Sequence, residues 1–359
     1  YGKVLRNVPD YPRALEVMGL YLLADGRPKE AVVFLNTAVE AIRQRSATGF
    51  ALARALAEAG QGSESVEAVK EGFRMNPRKA ALAKAEEAQL QGRLQEAEKV
   101  LRKLLAEDPD NPRALRMLGT IALEANRFKA ARRMLEKAVE IDPGFVMGWN
   151  DLANFHMKQD QYDKALELVQ HALELDPRMA HSHVMRGNVL SKAQRHEESL
   201  VAYREALEIS PLNPGALSGL GHVLKTIGRT EDSIQAYRKC IRAHPAFGEA
   251  YWSLANLKTF EFDSEEVEVM LKMVEDARVA DEPRVNFRYS LGKHFENEQD
   301  YVTAFEHYRA GADLRRSHEM YDPVQTQVIH DRIIGTFSAE FLHERQGWGD
   351  PSPDPILIV

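Results

Sequence analysis

The histidines are the first side chains to consider for chemistry, since imidazole binds metals and carries protons near neutral pH. His181 and His183 form an H-x-H pair, and single histidines occur elsewhere in the chain, among them His156, His171, His196 and His222. A metal site needs three or four converging ligands. These histidines lie in different segments, and the H-x-H pair points to different faces of a helix. We therefore expect no metal and no cofactor in this chain.

Covalent and acid–base chemistry has equally few candidates. No serine or cysteine lies in a nucleophile-elbow sequence. The single cysteine, Cys240, occupies a position where neighbouring segments carry alanine, so we expect it to be packed and unreactive. Adjacent acids such as Glu197 and Glu198 are typical of a solvated helix face. We predict no catalytic residue in this chain.

Amide and ammonium side chains form a more informative pattern, because several of them recur at a spacing of 34 residues. A carboxamide both donates and accepts hydrogen bonds, which suits an extended peptide backbone, and interleaved lysines favour acidic side chains. The predicted peptide-binding groove is lined by Asn150, Asn154, Lys158, His181, Asn188, Lys192, His222, Lys225, Trp252 and Asn256. A structural or neutral role for the same asparagines stays open.

The elements that position these side chains follow from a period. Prolines recur every 34 residues, at 109, 143, 177, 211 and 245. This is the period of tetratricopeptide (TPR) repeats, each of which is a pair of amphipathic helices joined by a turn. In the unit that starts at Pro112, small residues stand at positions 8, 20 and 27 as Gly119, Ala131 and Ala138. Small residues there allow two helices to cross closely. The sequence predicts an all-α fold, a right-handed α-solenoid of TPR repeats.

The same period sets the expected boundaries. Residues 1–11 are the second helix of a repeat whose first helix is missing, and residues 12–247 hold seven repeats. They are followed by an irregular joint (248–284), a last repeat (285–318) and a C-terminal helix (319–346) that packs on it. The predicted repeats lie at 12–45, 46–77, 78–111, 112–145, 146–179, 180–213 and 214–247.

Composition limits the classes of partner. The net charge of -7 and the pI near 6.0 give no electrostatic case for binding nucleic acid or an anionic membrane. No apolar run approaches the length of a membrane helix. One cysteine fits a reducing compartment, so we expect a cytoplasmic protein. Oligomeric state is left open.

The last residues, "GWGDPSPDPILIV" over 347–359, predict a different structure. Five glycines and prolines exclude a helix, and four branched apolar residues follow. Such a run is typical of a strand buried in a parallel sheet. We expect residues 347–359 to be the linker and first strand of an α/β domain that is absent here. A phosphate-binding loop would begin just after Val359.

Three segments carry a resemblance to a known family. The segments "AYWSLANLKTF" (250–260), "FRYSLGKHFENEQDYVTAFEHYRAGADLRR" (287–316) and the tail above resemble bacterial TPR-sulfotransferases. In that family a TPR array precedes a sulfotransferase domain that binds the sulfuryl donor PAPS. The resemblance implies a parent enzyme that sulfates a tyrosine or another hydroxyl acceptor. It also implies that the donor loop lies outside this chain.

Two other interpretations stay open. The chain could be a stand-alone TPR adaptor, or the arm of a glycosyltransferase, which shares the groove but not the proline linker. Capture of a chaperone C-terminal tail is disfavoured. The carboxylate clamp of such TPRs needs basic residues at positions 2 and 6 of a first helix, where this chain has Gly215 and Gly219.

Overall fold

The computed structural model describes residues 12–24, 27–41, 52, 54–61, 65, 69, 77–257, 260–317, 322–345 and 347. The predicted helix over 1–11, the strand-like tail after Gly347 and much of the predicted repeat over 46–77 lie outside these residues. The described elements are helices, as the sequence predicted. The division of the chain into domains stays a prediction.

The helices come in pairs, each a first and a second helix. The first helices are α1 (Pro12–Ala24), α3 (Pro77–Leu90), α5 (Pro112–Glu124), α7 (Val146–Met157), α9 (Ala180–Lys192) and α11 (Pro214–Thr226). Their second helices are α2 (Pro28–Ala41), α4 (Leu94–Glu107), α6 (Phe128–Ile141), α8 (Tyr162–Leu175), α10 (His196–Ile209) and α12 (Thr230–Ala243). Then follow α13 (Gly248–Ala255), α14 (Ser264–Glu275), α15 (Asp281–Asn297), α16 (Tyr301–Arg316), α17 (Pro323–Thr336) and α18 (Ala339–Glu344).

The turn between the two helices of a pair has the same geometry in each repeat whose turn the structure describes. Position 15 of the repeat has a positive φ, for example 55° at Asn126, 60° at Gln194 and 81° at Gly228. Left-handed backbone ends an α-helix and is cheapest for glycine or asparagine. The recurrence at one repeat position confirms the period read from the sequence.

Helix starts also follow local chemistry. Asn111 and Asn213 each accept a hydrogen bond from a backbone N–H three residues on, at 3.0 and 2.9 Å. Each is followed by a proline at the first helical position, where a missing N–H costs nothing. Pro112 and Pro214 thus begin first helices, whereas the prolines that set the period, such as Pro109 and Pro211, lie three residues earlier in the turn between repeats.

The packing order explains the curvature of the array. From α5 to α11, each first helix packs on its own second helix and on both helices of the preceding pair. Helix α13 packs on both helices of the pair before it, α11 and α12. Among the described helices, second helices of neighbouring repeats are not packed on each other in this way. Contact on one side only bends a stack toward that side. The first helices thus form the concave layer, which is the surface the predicted groove needs.

Glycines at position 8 set how closely the two helices of a pair approach. A Cβ on Gly187 would lie 2.6 Å from the ring of Tyr203, and one on Gly221 would lie 2.5 Å from the ring of Tyr237. Both tyrosines are at position 24 and are buried. The ring takes the space that the glycine leaves, so the pair forms one close-packed contact. Cys240 is buried as well, and burial raises the pKa of its thiol to about 12.

The region after α13 departs from the regular pattern. Helix α13 packs mainly on α15, and α14 packs on α15 as well. Their shared core is aromatic: Tyr251 meets Phe287 edge to face at 5.2 Å, and Phe260 meets Phe262 at 5.0 Å. Large rings here replace the small residues of a regular hairpin.

The predicted C-terminal helix differs from the structure in two ways. The chain forms two helices, α17 and α18, because Ser338 caps a new helix through the backbone N–H of Phe341. The expected packing on the last repeat is absent among the described residues. Large apolar residues of α17 are exposed, among them Val324, Ile333 and Ile334. Within the described part of the chain, none of the helices is long and apolar enough to cross a membrane.

We expect Gly187→Leu to lower the free energy of unfolding by about 1 to 3 kcal/mol, because the new side chain must displace the Tyr203 ring. Urea unfolding followed by circular dichroism measures this change. Gly335→Leu in α17 is the matched control, since a Cβ there meets no described atom within 4 Å. Equal stability of Gly187→Leu and the wild type would contradict the assigned repeat register.

Candidate ligand groove

The concave face brings the predicted position-9 side chains to one side of the array. Asn154, Asn188, His222 and Asn256 lie on α7, α9, α11 and the end of α13. The first three are partly exposed, and Asn256 is exposed. Four further predicted residues are exposed as well: Lys158, His181, Lys192 and Lys225.

Some of the predicted groove residues line one central cleft. We call it the glycine cleft; it is lined by Met157, Val184, Asn188, Ser191, Lys192, Tyr203, Gly215, Ser218, Gly219, His222, Phe247 and Glu249. It contains three predicted groove residues, Asn188, Lys192 and His222. The other exposed ones, such as Asn154 and Lys225, lie on the same first helices outside it.

The amide of Asn188 is oriented by a buried tyrosine. The hydroxyl of Tyr203 donates to Asn188 Oδ1 at 2.7 Å. Burial raises the pKa of the Tyr203 phenol to about 12, so the hydroxyl keeps its proton and acts as a donor. With its oxygen engaged, Asn188 has its amide N–H groups left for a ligand.

His222 has an equally defined environment. Its Nδ1 lies 2.8 Å from the hydroxyl of Tyr237, whose pKa burial raises to about 12. A protonated phenol donates to Nδ1, so the ring hydrogen is on Nε2. From there it reaches Glu249 Oε1 at 3.1 Å, and Ser218 Oγ lies at 3.2 Å. His222 therefore holds Glu249 at the rim of the glycine cleft.

The structure corrects the prediction for Asn150. This side chain is fully buried between α7 and α9, where its Nδ2 donates to Ser182 Oγ at 2.8 Å and to Val146 O at 3.1 Å. Its Oδ1 has no hydrogen-bond partner in the described part of the chain. Position 5 faces the next first helix, and serine at 182 leaves room for the amide. Asn150 belongs to the packing between repeats and not to the groove surface.

The predicted end of the groove is aromatic. Trp252 is partly buried, and its ring lies 5.6 Å from that of Tyr289. The guanidinium of Arg315 stands 5.8 Å from the Tyr289 ring centroid, within cation–π range. Asn256 donates its amide to Trp252 O at 2.8 Å, which turns part of this side chain back onto its own helix. Asn256 thus offers fewer groups to a ligand than Asn188.

Sequence reasoning missed Tyr203, Tyr237, Phe247 and Glu249. No role was assigned to the two tyrosines from the sequence, yet their hydroxyls reach Asn188 and His222 on the concave side. A signal was available, because tyrosine at position 24 occurs together with glycine at position 8 in the units of Gly187, Gly221 and Gly292. Glu249 stands at position 2 of its helix, the repeat position that His181 occupies in the predicted groove.

An ion pair links the first helices of two repeats. Arg116 Nη1 donates to Asp151 Oδ2 at 2.8 Å, and 23% and 13% of the two side chains are exposed. Burial raises the pKa of the Asp151 carboxyl, and the Arg116 guanidinium opposes that rise. Without arginine, this carboxylate would stay desolvated and unpaired.

A curved stack of helix pairs with a polar concave face defines an α-solenoid of the protein-interaction class. Sequence comparison identifies the repeats. Tetratricopeptide-repeat models match residues 88–145, 122–184 and 214–247, and a TPR-repeat model matches residues 187–228. These segments are thus tetratricopeptide repeats. No curated protein matches the chain.

Solved structures show partial similarity to this chain. A thermophilic TPR protein of Thermus thermophilus, TTC0263, is 21% identical over 47% of this chain and 92% of that chain, with a TM-score of 0.45. The Cut9–Hcn1 hetero-tetramer of APC/C gives 18% identity over 62% of this chain and 45% of that chain, with a TM-score of 0.49. MamA gives 20% identity over 45% of this chain and 94% of that chain, with a TM-score of 0.36.

We expect Arg116→Met to cost on the order of 3 kcal/mol of stability at pH 7, because the Asp151 carboxylate loses its partner. The folded-state pKa of Asp151 is raised, so its unfavourable contribution is present above that pKa and disappears as the pH falls through it. The loss should therefore shrink at about pH 4. Urea unfolding at both pH values measures it.

The double variant Arg116→Met with Asp151→Leu removes both charges and serves as the control. It should recover most of the stability at pH 7. A loss of the same size at both pH values would contradict an electrostatic origin.

Proposed function

We propose that the concave face holds an extended, acidic peptide segment of a protein partner. The observation that carries this proposal is the oriented Asn188 amide, whose oxygen is taken by Tyr203 and whose donors are left for a ligand. Two exposed lysines, Lys158 and Lys192, follow Asn154 and Asn188 by four residues each. Amide donors suit a peptide backbone, and ammonium groups suit carboxylates.

The proposed role of the array is substrate recruitment for a PAPS-dependent sulfotransferase. Support comes from the segments at 250–260 and 287–316, which resemble TPR-sulfotransferases. A peptide held by the array would reach a tethered active site at a high effective concentration. In this proposal PAPS and the catalytic groups belong to the parent enzyme, and the array supplies binding only.

A stand-alone TPR adaptor is the second candidate. The groove chemistry supports it equally, because a polar concave face holds a partner whether or not an enzyme is attached. The two candidates differ only in what is joined to the array.

We expect Asn154→Ala combined with Asn188→Ala to weaken acidic-peptide binding about tenfold, since two sets of backbone-binding amides are lost. Isothermal titration calorimetry with the acetylated peptide (Glu-Gly)6 measures this affinity. Asn256→Ala is the matched control, because that amide is bound to its own helix. Equal affinity of the double variant and the wild type, with both folded, would contradict peptide binding by the amides of Asn154 and Asn188.

The sulfotransferase link has its own test. Sequencing the parent reading frame past Val359 should reveal a glycine-proline-arginine-serine-glycine loop, and the full protein should bind PAPS in calorimetry. An unrelated continuation, or a stop codon, would leave the adaptor as the better proposal.

A further inference from the structure

The glycine cleft exists because two side chains are missing from the start of α11. Gly215 and Gly219 are one helical turn apart on the concave side. They differ in what surrounds them. A Cβ on Gly219 would lie 2.4 Å from the Tyr203 ring, whereas a Cβ on Gly215 would meet Asn213 Oδ1 at 3.4 Å and Val184 Cγ1 at 3.5 Å. Gly219 is therefore required by packing, and Gly215 borders open space of about 500 Å³.

One wall of the cleft is rich in hydrogen-bond donors. Asn188 has its amide N–H groups left over, and Ser191 on the same helix carries a hydroxyl. The ammonium of Lys192 is exposed and forms no ion pair with any described residue. Three donor groups on one wall of α9, one of them charged, suit an acceptor with a negative charge.

The opposite wall carries a carboxylate that is already engaged. Glu249 accepts from His222 Nε2, which in turn is fixed by Tyr237. Glu249 thus remains a negative group in the cleft lining, on α13, whereas Lys192 lies on α9. A second carboxylate is therefore favoured only next to Lys192 and disfavoured next to Glu249.

The remaining surface is apolar. Met157, Val184 and Phe247 line the cleft beside the polar groups. These side chains can cover the methylene groups of a ligand side chain while its head reaches the donors. Such a combination favours glutamate, which has one methylene more than aspartate.

We propose that the glycine cleft binds the carboxylate of one glutamate side chain within an extended peptide, at Asn188, Ser191 and Lys192. This inference rests on the proposed peptide-binding function. It adds which residue of the ligand is recognised and which part of the groove recognises it. The peptide backbone passes over Gly215, where a larger side chain would block the glutamate. Recognition is of an internal side chain and requires no free C-terminus.

Calorimetry on the full chain tests this with three acetylated and amidated peptides, (Glu-Gly)6, (Gln-Gly)6 and (Lys-Gly)6. We expect the glutamate peptide to bind at least about tenfold more tightly than the glutamine peptide, because a charge-assisted bond is lost in the latter. Gly215→Leu should weaken the glutamate peptide by a similar factor, because leucine fills the cleft. Gly335→Leu, which lies in α17, should bind as the wild type does.

Lys192→Gln is the second variant, in case Gly215→Leu alters the helix start. It keeps a long polar side chain, and it should reduce the preference for glutamate over glutamine. Lys239→Gln, an exposed lysine on the second helix α12 and outside the cleft, is its control.

The outcomes separate the two proposals. Unchanged binding in Gly215→Leu with the fold retained would overturn the glutamate site while leaving acidic-peptide binding in place. Equal binding of the glutamate and glutamine peptides, or preferred binding of the lysine peptide, would overturn the glutamate site and the acidic preference, and would leave only peptide binding. Failure of all three peptides to bind would overturn the proposed function and the glutamate site together.

Discussion

The close approach of two helices at position 8 of the repeat is the constraint on which the rest of the array depends. Glycine at 187 and 221 lets the ring of a position-24 tyrosine take the place of a side chain. The same rings extend past the glycines, and their hydroxyls bond Asn188 at 2.7 Å and His222 at 2.8 Å on the concave face. One packing contact therefore fixes both the hairpin and the orientation of the groove residues. Changes in this contact would alter stability and recognition together.

The sequence predicted the hairpins, their order and the inner layer because a period of 34 residues leaves little freedom. Once position 8 is small and position 15 can adopt a left-handed turn, the pair of helices can close in only one register. The positive φ at Asn126 and Gln194 is a direct consequence of that register. For the candidate site, the period also placed Asn188, Lys192 and His222 on one face, and the cleft contains all three.

What the sequence could not supply depends on contacts between repeats. Asn150 and Asn154 are one turn apart and equally polar, yet the first is buried against Ser182 and the second is partly exposed. That difference comes from the packing of α7 on α9. The residue pattern within one repeat does not predict this packing between repeats. Similarly, the sequence predicted one C-terminal helix over 319–346 that packs on the last repeat, but it could not show that Ser338 starts a separate helix or that the apolar residues of α17 stay uncovered.

The spacing of the first helices limits how the array can recognise an extended peptide. Packed helices lie about 8 to 10 Å apart, and an extended peptide advances about 3.3 Å per residue. Each repeat therefore spans about three ligand residues. Because side chains of an extended peptide alternate in direction, successive repeats cannot all read side chains from one face. Amides such as that of Asn188, which suit the backbone, tolerate this mismatch, and a cleft opened by Gly215 adds side-chain selectivity at one repeat alone.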